Sequence, residues 1–158
     1  MDTNARVRAD GARYALAPSA LTLLESAHQK LAAGERDSSA ASRYASARLA
    51  ALRAAAAVVA AKPDAGILER RKRPRNIWEL LPRAEPAFTG WAAHFAAVAR
   101  AYRPARWRRV RAVSHRQADR MLCDAQAFVS LAEDTLGVTG QPSQHGVQHH
   151  PSAAHTHP

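Results

Sequence analysis

An alanine-rich stretch from Ser38 to Ala61 limits the possible folds more than any other part of the chain. Ser38 and Ser39 are favourable N-cap residues, because a serine hydroxyl accepts a hydrogen bond from a backbone N–H that the first helical turn leaves unpaired. At the other end, Pro63 disfavours helical backbone angles at Lys62. The stretch is therefore predicted to be one long helix at the centre of the fold.

Apolar residues recur inside this helix at alternating intervals of four and three. They are Ala45, Leu49, Leu52, Ala56 and Val59. Residues at these intervals lie on one helical face, so this face is predicted to be buried. The face is narrow and rich in alanine, which favours close approach of neighbouring helices. Three arginines lie off the face and give the helix positive charge, namely Arg43, Arg48 and Arg53.

The segment before the central helix also has a helical pattern. A first helix is predicted to begin near Pro18 and to end at Gly34 as a C′ residue. The connection Glu35–Asp37 is short enough for an antiparallel helical hairpin. His28 lies among the leucines of this helix and is interpreted as a partly buried packing residue rather than a ligand.

The second half of the chain predicts a short helical turn over residues 76–81 and two more helices. The third helix starts at Pro86, and its apolar stripe consists of Phe88, Trp91, Phe95, Val98 and Tyr102. His94 flanks this stripe without an acidic partner at ligand spacing. Ser114 opens the last helix with a capping-box pattern, and Gly137 ends it. The predicted fold class is all-α, a bundle of four main antiparallel helices plus a short helical turn.

The chain of 158 residues is long enough for one domain with a sizeable core. Residues 1–17 have no sustained period and are predicted to be a flexible arm. Residues 18–137 form the predicted bundle. Residues 138–158 hold five of the eight histidines among Gly, Pro, Ser and Gln, which predicts a disordered tail. Such a tail offers no fixed ligand geometry, so no metal site and no cofactor are predicted.

The formal net charge is +10, and 20 of the 23 basic residues are arginine. An excess of this kind suits an anionic partner such as RNA, DNA or a phosphate-bearing ligand. It is equally consistent with the coding bias of a GC-rich genome, which places arginine on solvated faces. Both interpretations stay open at this point.

Cysteine usage and hydropathy indicate the compartment. Cys123 is the single cysteine, so no intrachain disulfide is possible, and it is expected to be a small buried thiol in the last helix. The N-terminus lacks the apolar core of a secretory signal. The longest apolar run, residues 54–61, is too short to span a bilayer. A cytoplasmic protein without membrane contact is predicted.

Two arginine-rich segments separate the predicted helices. The first contains Arg70, Arg71, Lys72, Arg73 and Arg75. The second contains Arg106, Arg108, Arg109 and Arg111 together with Trp107. Clustered guanidinium groups bind phosphates, and an interleaved aromatic ring stacks on bases. Alternatively, the first segment is a solvated loop and the second is anchored to the bundle by Trp107.

The residues resemble an actinobacterial branch of the HEPN domains, the higher eukaryotes and prokaryotes nucleotide-binding domains. The resemblance covers residues 19–137. It is carried by Arg43, Tyr44, Ala47 and the run Leu49–Ala57, then by Asn76, Trp78, Leu80 and Leu81, and finally by Arg111–Ser114. It implies a helical bundle, in agreement with the periodicity. Many HEPN proteins are metal-independent RNases that use an arginine followed by a histidine, usually across a dimer interface.

The resemblance implies two candidate positions for such a pair. Arg43 precedes Arg48 where the family pattern often has histidine, and an arginine cannot act as general base because it does not deprotonate in proteins. The second position is Arg109 with His115. They are six residues apart, within the interval of four to six that the family pattern has, and His115 lies at the start of a predicted helix. There, histidine would transfer the proton while arginine stabilises charge on the phosphoryl group.

The sequence thus favours a cytoplasmic HEPN-like bundle, a homodimer, that binds RNA or a nucleotide ligand with little or no catalysis. The phosphate-binding candidates are Arg43, Arg48, Arg70, Arg71, Lys72, Arg73, Arg75, Arg108 and Arg111. One alternative is a metal-independent endoribonuclease of toxin or defence type that uses Arg109 and His115. The other is a protein-interaction module in which the alanine-rich face of the central helix packs against a partner helix.

Overall fold

The computed structural model describes residues 16–62, 76–101 and 112–138. These ranges contain no strand and five α-helices: α1 (Pro18–Arg36), α2 (Ala40–Ala60), α3 (Ile77–Ala84), α4 (Thr89–Ala101) and α5 (His115–Leu136). A 3-10 turn, Pro86–Phe88, joins α3 to α4. Four long helices and the short α3 confirm the all-α prediction. Apart from residues 16, 17 and 138, the predicted arm and tail lie outside the described residues.

Local cap chemistry defines where α2 begins and where α5 begins and ends. Ser39 caps α2, since its side chain accepts from the backbone N–H of Ser42. Ser114 and Gln117 form the predicted capping box, with bonds of 3.1 and 2.9 Å in the two directions. After α5, Gly137 adopts a left-handed backbone with φ of 69°, which a residue with a Cβ rarely does.

Contacts between distant residues give the directions of α1 and α5. Near the end of α1, Glu35 accepts a hydrogen bond of 2.7 Å from Gln126 in the middle of α5. Earlier in α1, His28 pairs with Glu133 near the end of α5. Moving forward along α1 therefore means moving backward along α5, so the two helices are antiparallel.

The remaining long helices complete the bundle. Arg43 at the start of α2 pairs with Asp119 at the start of α5, so these two helices run in the same direction. In α4, His94 reaches Asp124, whereas the ring of Phe88, just before α4, contacts Phe128. Helices α1 and α4 thus run opposite to α2 and α5. We call the end of the bundle where α2 and α5 begin the basal end.

The buried face of α2 is not the one that the leucine spacing predicts. Its buried residues are Ala47, Ala50, Ala51, Ala54, Ala55, Ala57 and Val58. Leu49 and Leu52 remain 39% and 38% exposed. The reason is steric, because α1 and α5 both pack against α2 and a face made mostly of alanine lets two helices approach one helix closely. The predicted burial of Leu49 and Leu52 is therefore wrong, although close packing on alanine is found.

Gly34 has a packing role rather than a terminating one. Helix α1 continues past it to Arg36, and Gly34 is buried. A Cβ at this position would lie 3.3 Å from Cδ1 of Leu122 and 3.5 Å from the carbonyl oxygen of Arg43. The glycine thus permits close contact of α1 with both α2 and α5, and the predicted helix end at Gly34 is wrong.

Aromatic rings fill the other half of the core, between α3, α4 and α5. Phe88 and Phe95 of the predicted stripe are buried, and Trp91 and Val98 are partly buried. The last residue of the stripe, Tyr102, lies outside the described residues. Phe128 of α5 is fully buried at the centre of the rings. This cluster holds α4 and α3 against the helical core.

No helix among the described residues is long and apolar enough to cross a membrane.

Candidate functional site

Positive charge is concentrated in the segments that join the helices. The described residues contain ten of the 23 basic residues and nine of the 13 acidic ones, so this part of the bundle is nearly neutral. Residues 63–75 contain five basic and two acidic residues, and residues 102–111 contain five basic residues and no acidic one. A uniform coding bias would distribute arginine evenly over solvated positions. The clustering therefore favours a role in binding an anion.

Within the described helices, charge is also segregated. Helices α2 and α4 contain no acidic residue. Their basic residues are Arg43, Arg48, Arg53 and Arg100. The acidic residues of the other helices belong to α1, α3 and α5. Helices α2 and α4 thus contribute no negative charge to the surface that they form.

A groove with a volume of about 280 Å³ lies on this surface, between α2 and α4. Its lining consists of Ala45, Arg48, Leu49 and Leu52 from α2, Trp78 from α3, and Phe95, Val98 and Ala99 from α4. Trp78 and Phe95 are 8% and 2% exposed, so they form a nearly closed floor. The exposed leucines of α2 form one wall. Ala45, Leu49 and Leu52 of the predicted apolar face of α2 therefore line an exposed groove rather than the buried core.

Arg43 has a structural position at the basal end. Its Nη2 and Nε atoms donate to the carbonyl oxygen of Asp37 at 3.0 and 3.3 Å, and its Nη1 atom pairs with Asp119 of α5. Arg48 follows five residues later, which is about 140° around the helix axis. Arg43 therefore faces α5 whereas Arg48 lines the groove. The two arginines at the first family position do not converge on one point.

We expect Arg43→Ala to lower the free energy of unfolding by about 1.5 kcal/mol, because charged hydrogen bonds to the partly buried carbonyl oxygen of Asp37 are lost. Chemical denaturation followed by circular dichroism measures this change. In a double-mutant cycle with Asp119→Ala, the coupling should be only about 0.5 kcal/mol, since Asp119 is 58% exposed. Arg53→Ala, on the same helix but exposed, is the matched control and should change stability by less than about 0.5 kcal/mol. An equal loss in both arginine variants would contradict the structural role of Arg43.

His115 is the first residue of α5 and is exposed. Its imidazole makes no hydrogen bond to any of the residues that the structure describes. Asp119, the partner of Arg43, follows one turn later on the same side of α5, so Arg43 and His115 share the basal end. The proposed partner of His115, Arg109, lies outside the described residues. So do Arg70, Arg71, Lys72, Arg73, Arg75, Arg108 and Arg111.

Two histidines have partners that the sequence interpretation missed. Nε2 of His94 lies 3.0 Å from Oδ2 of Asp124, and His28 pairs with Glu133. The side chains of His94 and His28 are 43% and 54% exposed, so the interpretation of His28 as a packing residue is wrong. Each pair joins a neighbouring helix to α5. The partners are 30 and 105 residues apart, so no local spacing could reveal them.

The single cysteine also differs from expectation. Cys123 is exposed on α5 rather than buried, because the core side of that helix is occupied by the neighbouring positions Met121 and Ala125. Within the described ranges, no three His, Cys, Asp or Glu side chains are grouped so that they could hold a metal ion.

Comparison with known proteins identifies the bundle. A sequence model of the SAV_6107-like HEPN family matches residues 32–133, which is more than half of the chain. The matched range runs from the end of α1 to the end of α5 and contains Arg43, Arg48 and His115. No curated protein and no solved structure matches the chain.

Proposed function

The chain belongs to the SAV_6107-like HEPN family, and we propose that it binds RNA or a nucleotide-bearing ligand with little or no catalysis. The observation that carries this proposal is the segregation of charge. A nearly neutral bundle is combined with two connecting segments that hold ten of the 23 basic residues. Such segments suit a phosphate backbone better than a neutral or cationic partner.

The binding chemistry follows from the guanidinium group. It offers five N–H donors in a planar fork that matches phosphate oxygens, and it stays charged at every physiological pH. Arg70, Arg71, Lys72, Arg73 and Arg75 form one group of contacts in this proposal, and Arg108 and Arg111 form a second. Arg48 adds positive charge from α2, whereas the charge of Arg43 on the same helix is largely offset by Asp119. Release of condensed counterions on binding makes the affinity strongly dependent on salt.

A second candidate function is a metal-independent endoribonuclease, favoured by the exposed imidazole of His115 at the start of α5. In this mechanism, His115 accepts the proton of a ribose 2′-hydroxyl, and the 2′-oxygen attacks the adjacent phosphorus. The 5′-oxygen leaves and takes up a proton from solvent water, so that a cyclic phosphate remains. Arg109 stabilises the negative charge on the phosphoryl oxygens. The backbone N–H groups of His115 and Arg116, which the capping box does not use, favour phosphate at the same place.

The proposal includes a homodimer in the cytoplasm. In the HEPN RNases that the chain resembles, the arginine and histidine usually act across a dimer interface. The lone Cys123 fits a reducing compartment, because the chain requires no disulfide. Sedimentation equilibrium of the full chain measures the association state directly.

The test is incubation of the purified full chain with mixed cellular RNA in EDTA, at several salt concentrations. We expect a mobility shift that weakens steeply between 50 and 200 mM salt, with the RNA left intact. His115→Ala should bind RNA as the wild type does, because one exposed histidine contributes little to phosphate binding beside ten clustered basic residues.

The outcomes separate the candidates. Cleavage that is lost in His115→Ala, while His94→Ala retains it, would establish the ribonuclease and overturn the non-catalytic proposal. Cleavage that survives in both variants would indicate a contaminating nuclease and would remove His115 from the site. Absence of both a shift and cleavage would overturn RNA binding and favour the protein-interaction alternative.

A further inference from the structure

The groove between α2 and α4 is an exposed apolar surface that lies apart from the arginine-rich segments in the chain, and Arg48 is the residue that it shares with the proposed RNA contacts. We propose that it is a docking site for an amphipathic helix of a protein partner, with leucine-like side chains on one face and acidic residues on its flanks. This inference stands independently of RNA binding, because it is based on the described helices and not on the arginine-rich segments.

The shape of the groove fits a helix. Ala45, Leu49 and Leu52 follow one another at intervals of four and three, so they form a ridge along the outside of α2. Val98 and Ala99 form the opposite wall on the antiparallel α4. Between two such walls, a third helix can insert side chains spaced by three or four residues. A volume of about 280 Å³ accommodates the side chains of a few such anchors.

The chemistry of the accessible surface favours aliphatic side chains over nucleobases. A base-binding site presents the open faces of aromatic rings. Here the aromatic residues of the groove, Trp78 and Phe95, are almost completely buried against each other and against Phe128. The surface that remains exposed belongs mainly to Leu49 and Leu52. Aliphatic contact area of this kind is buried effectively by leucine, isoleucine or methionine.

Charge selects the partner. Arg48 lines the groove and Arg53 lies beside Leu49 and Leu52 on the exposed side of α2, whereas α2 and α4 contain no acidic residue. A second copy that docked through the same surface would bring arginines of α2 close to one another, which is unfavourable. A helix with acidic flanks instead gains attraction to both arginines. Charge complementarity therefore favours a different, acidic partner over self-association at this surface.

The test is selection of helical peptides from a random displayed library on the immobilised full chain. We expect enrichment of sequences with large aliphatic residues at intervals of three or four and with Asp or Glu on the flanks. The selected peptide is then titrated against variants by isothermal calorimetry. Leu49→Glu combined with Leu52→Glu should abolish binding. Arg53→Glu should weaken binding about tenfold, because an attractive charge becomes repulsive.

Leu131→Glu is the matched control, since Leu131 is 39% exposed, as Leu49 is, but lies on α5. The Leu131→Glu variant should bind the selected peptide with the same affinity as the wild type. A selection without such a pattern, or peptides that bind the Leu49→Glu, Leu52→Glu variant equally well, would overturn the proposal. So would conversion of a wild-type dimer to a monomer by that variant, because the occupant would then be a second copy. Loss of RNA binding in the Leu49→Glu, Leu52→Glu variant would also overturn the proposal, because the groove would then bind nucleic acid. A large fall in the unfolding temperature of this variant would overturn it as well, because the groove would then be covered by another segment of the same chain.

Discussion

Replacing Phe128 with alanine is expected to lower the free energy of unfolding by about 4 kcal/mol, which is a large part of the stability of a domain of this size. Phe128 is fully buried, and its ring lies between 5.2 and 6.2 Å from four other aromatic rings. Those rings belong to Trp78, Phe88, Trp91 and Phe95. The substitution removes the edge-to-face contacts and leaves a cavity that α3, α4 and α5 cannot close without repacking. Urea denaturation followed by circular dichroism measures the effect.

Two further variants serve as controls, one at an exposed position of α5 and one with a milder substitution at Phe128. Leu131→Ala removes a large side chain three residues further along α5, but from an exposed position, and should change stability by less than about 1 kcal/mol. Phe128→Leu retains most of the apolar volume and should lose about 1.5 kcal/mol, which stays measurable even if the alanine variant does not fold. A loss below about 1.5 kcal/mol for Phe128→Ala would contradict the central position of this ring.

Both ends of α5 could be predicted because they depend on neighbouring residues. The hydroxyl of Ser114 and the amide of Gln117 are three residues apart, so their capping box requires no knowledge of the tertiary fold. Gly137 ends α5 because its own backbone adopts positive φ. The aromatic stripe of α4 was predictable for a related reason. Large rings at helical spacing bury most of their area only against a core, and Phe88 and Phe95 do so.

The face of α2 could not be predicted in the same way. Hydrophobicity ranks leucine above alanine, so the spacing of Leu49 and Leu52 predicts that they are inside. What decides the outcome is the distance to neighbouring helices, and alanine permits the close contacts of α2 with α1 and α5. Gly34 illustrates the same limit. Its sequence context suits a helix end, whereas its tertiary surroundings require a residue without a side chain.

The candidate site was only partly accessible from the sequence. The arginine-rich segments are visible as composition, but their contrast with a nearly neutral bundle emerges only once the helices are placed. Arg43 was identified as a phosphate ligand from the family pattern, whereas the structure gives it a carboxylate and a carbonyl group as partners. The His94–Asp124 pair joins positions 30 residues apart and depends on how α4 packs against α5. Pairs of this kind are a property of the tertiary fold.

The second large effect concerns the first arginine-rich segment. Replacing its five basic residues with glutamine is expected to weaken RNA binding about 100-fold or more at moderate salt. These residues are Arg70, Arg71, Lys72, Arg73 and Arg75. On a single-stranded RNA, each phosphate contact contributes about 0.7 unit to the slope of log K against log salt concentration. The slope should therefore become shallower by about 3.5. Fluorescence anisotropy with a labelled single-stranded RNA, titrated at five salt concentrations, measures both quantities.

The control for this variant has the same net charge but changes different positions. Glutamine replaces five exposed arginines of the helices, namely Arg36, Arg83, Arg100, Arg116 and Arg120. Both variants fall from a formal charge of +10 to +5. If clustered arginines contact phosphates, the helix variant should lose only a few-fold in affinity and keep its salt slope, because isolated charges act mainly through the screened long-range field. Equal losses in the two variants would mean that affinity follows net charge alone. The arginine excess would then be explained by coding bias, and the binding proposal would lose the observation that carries it.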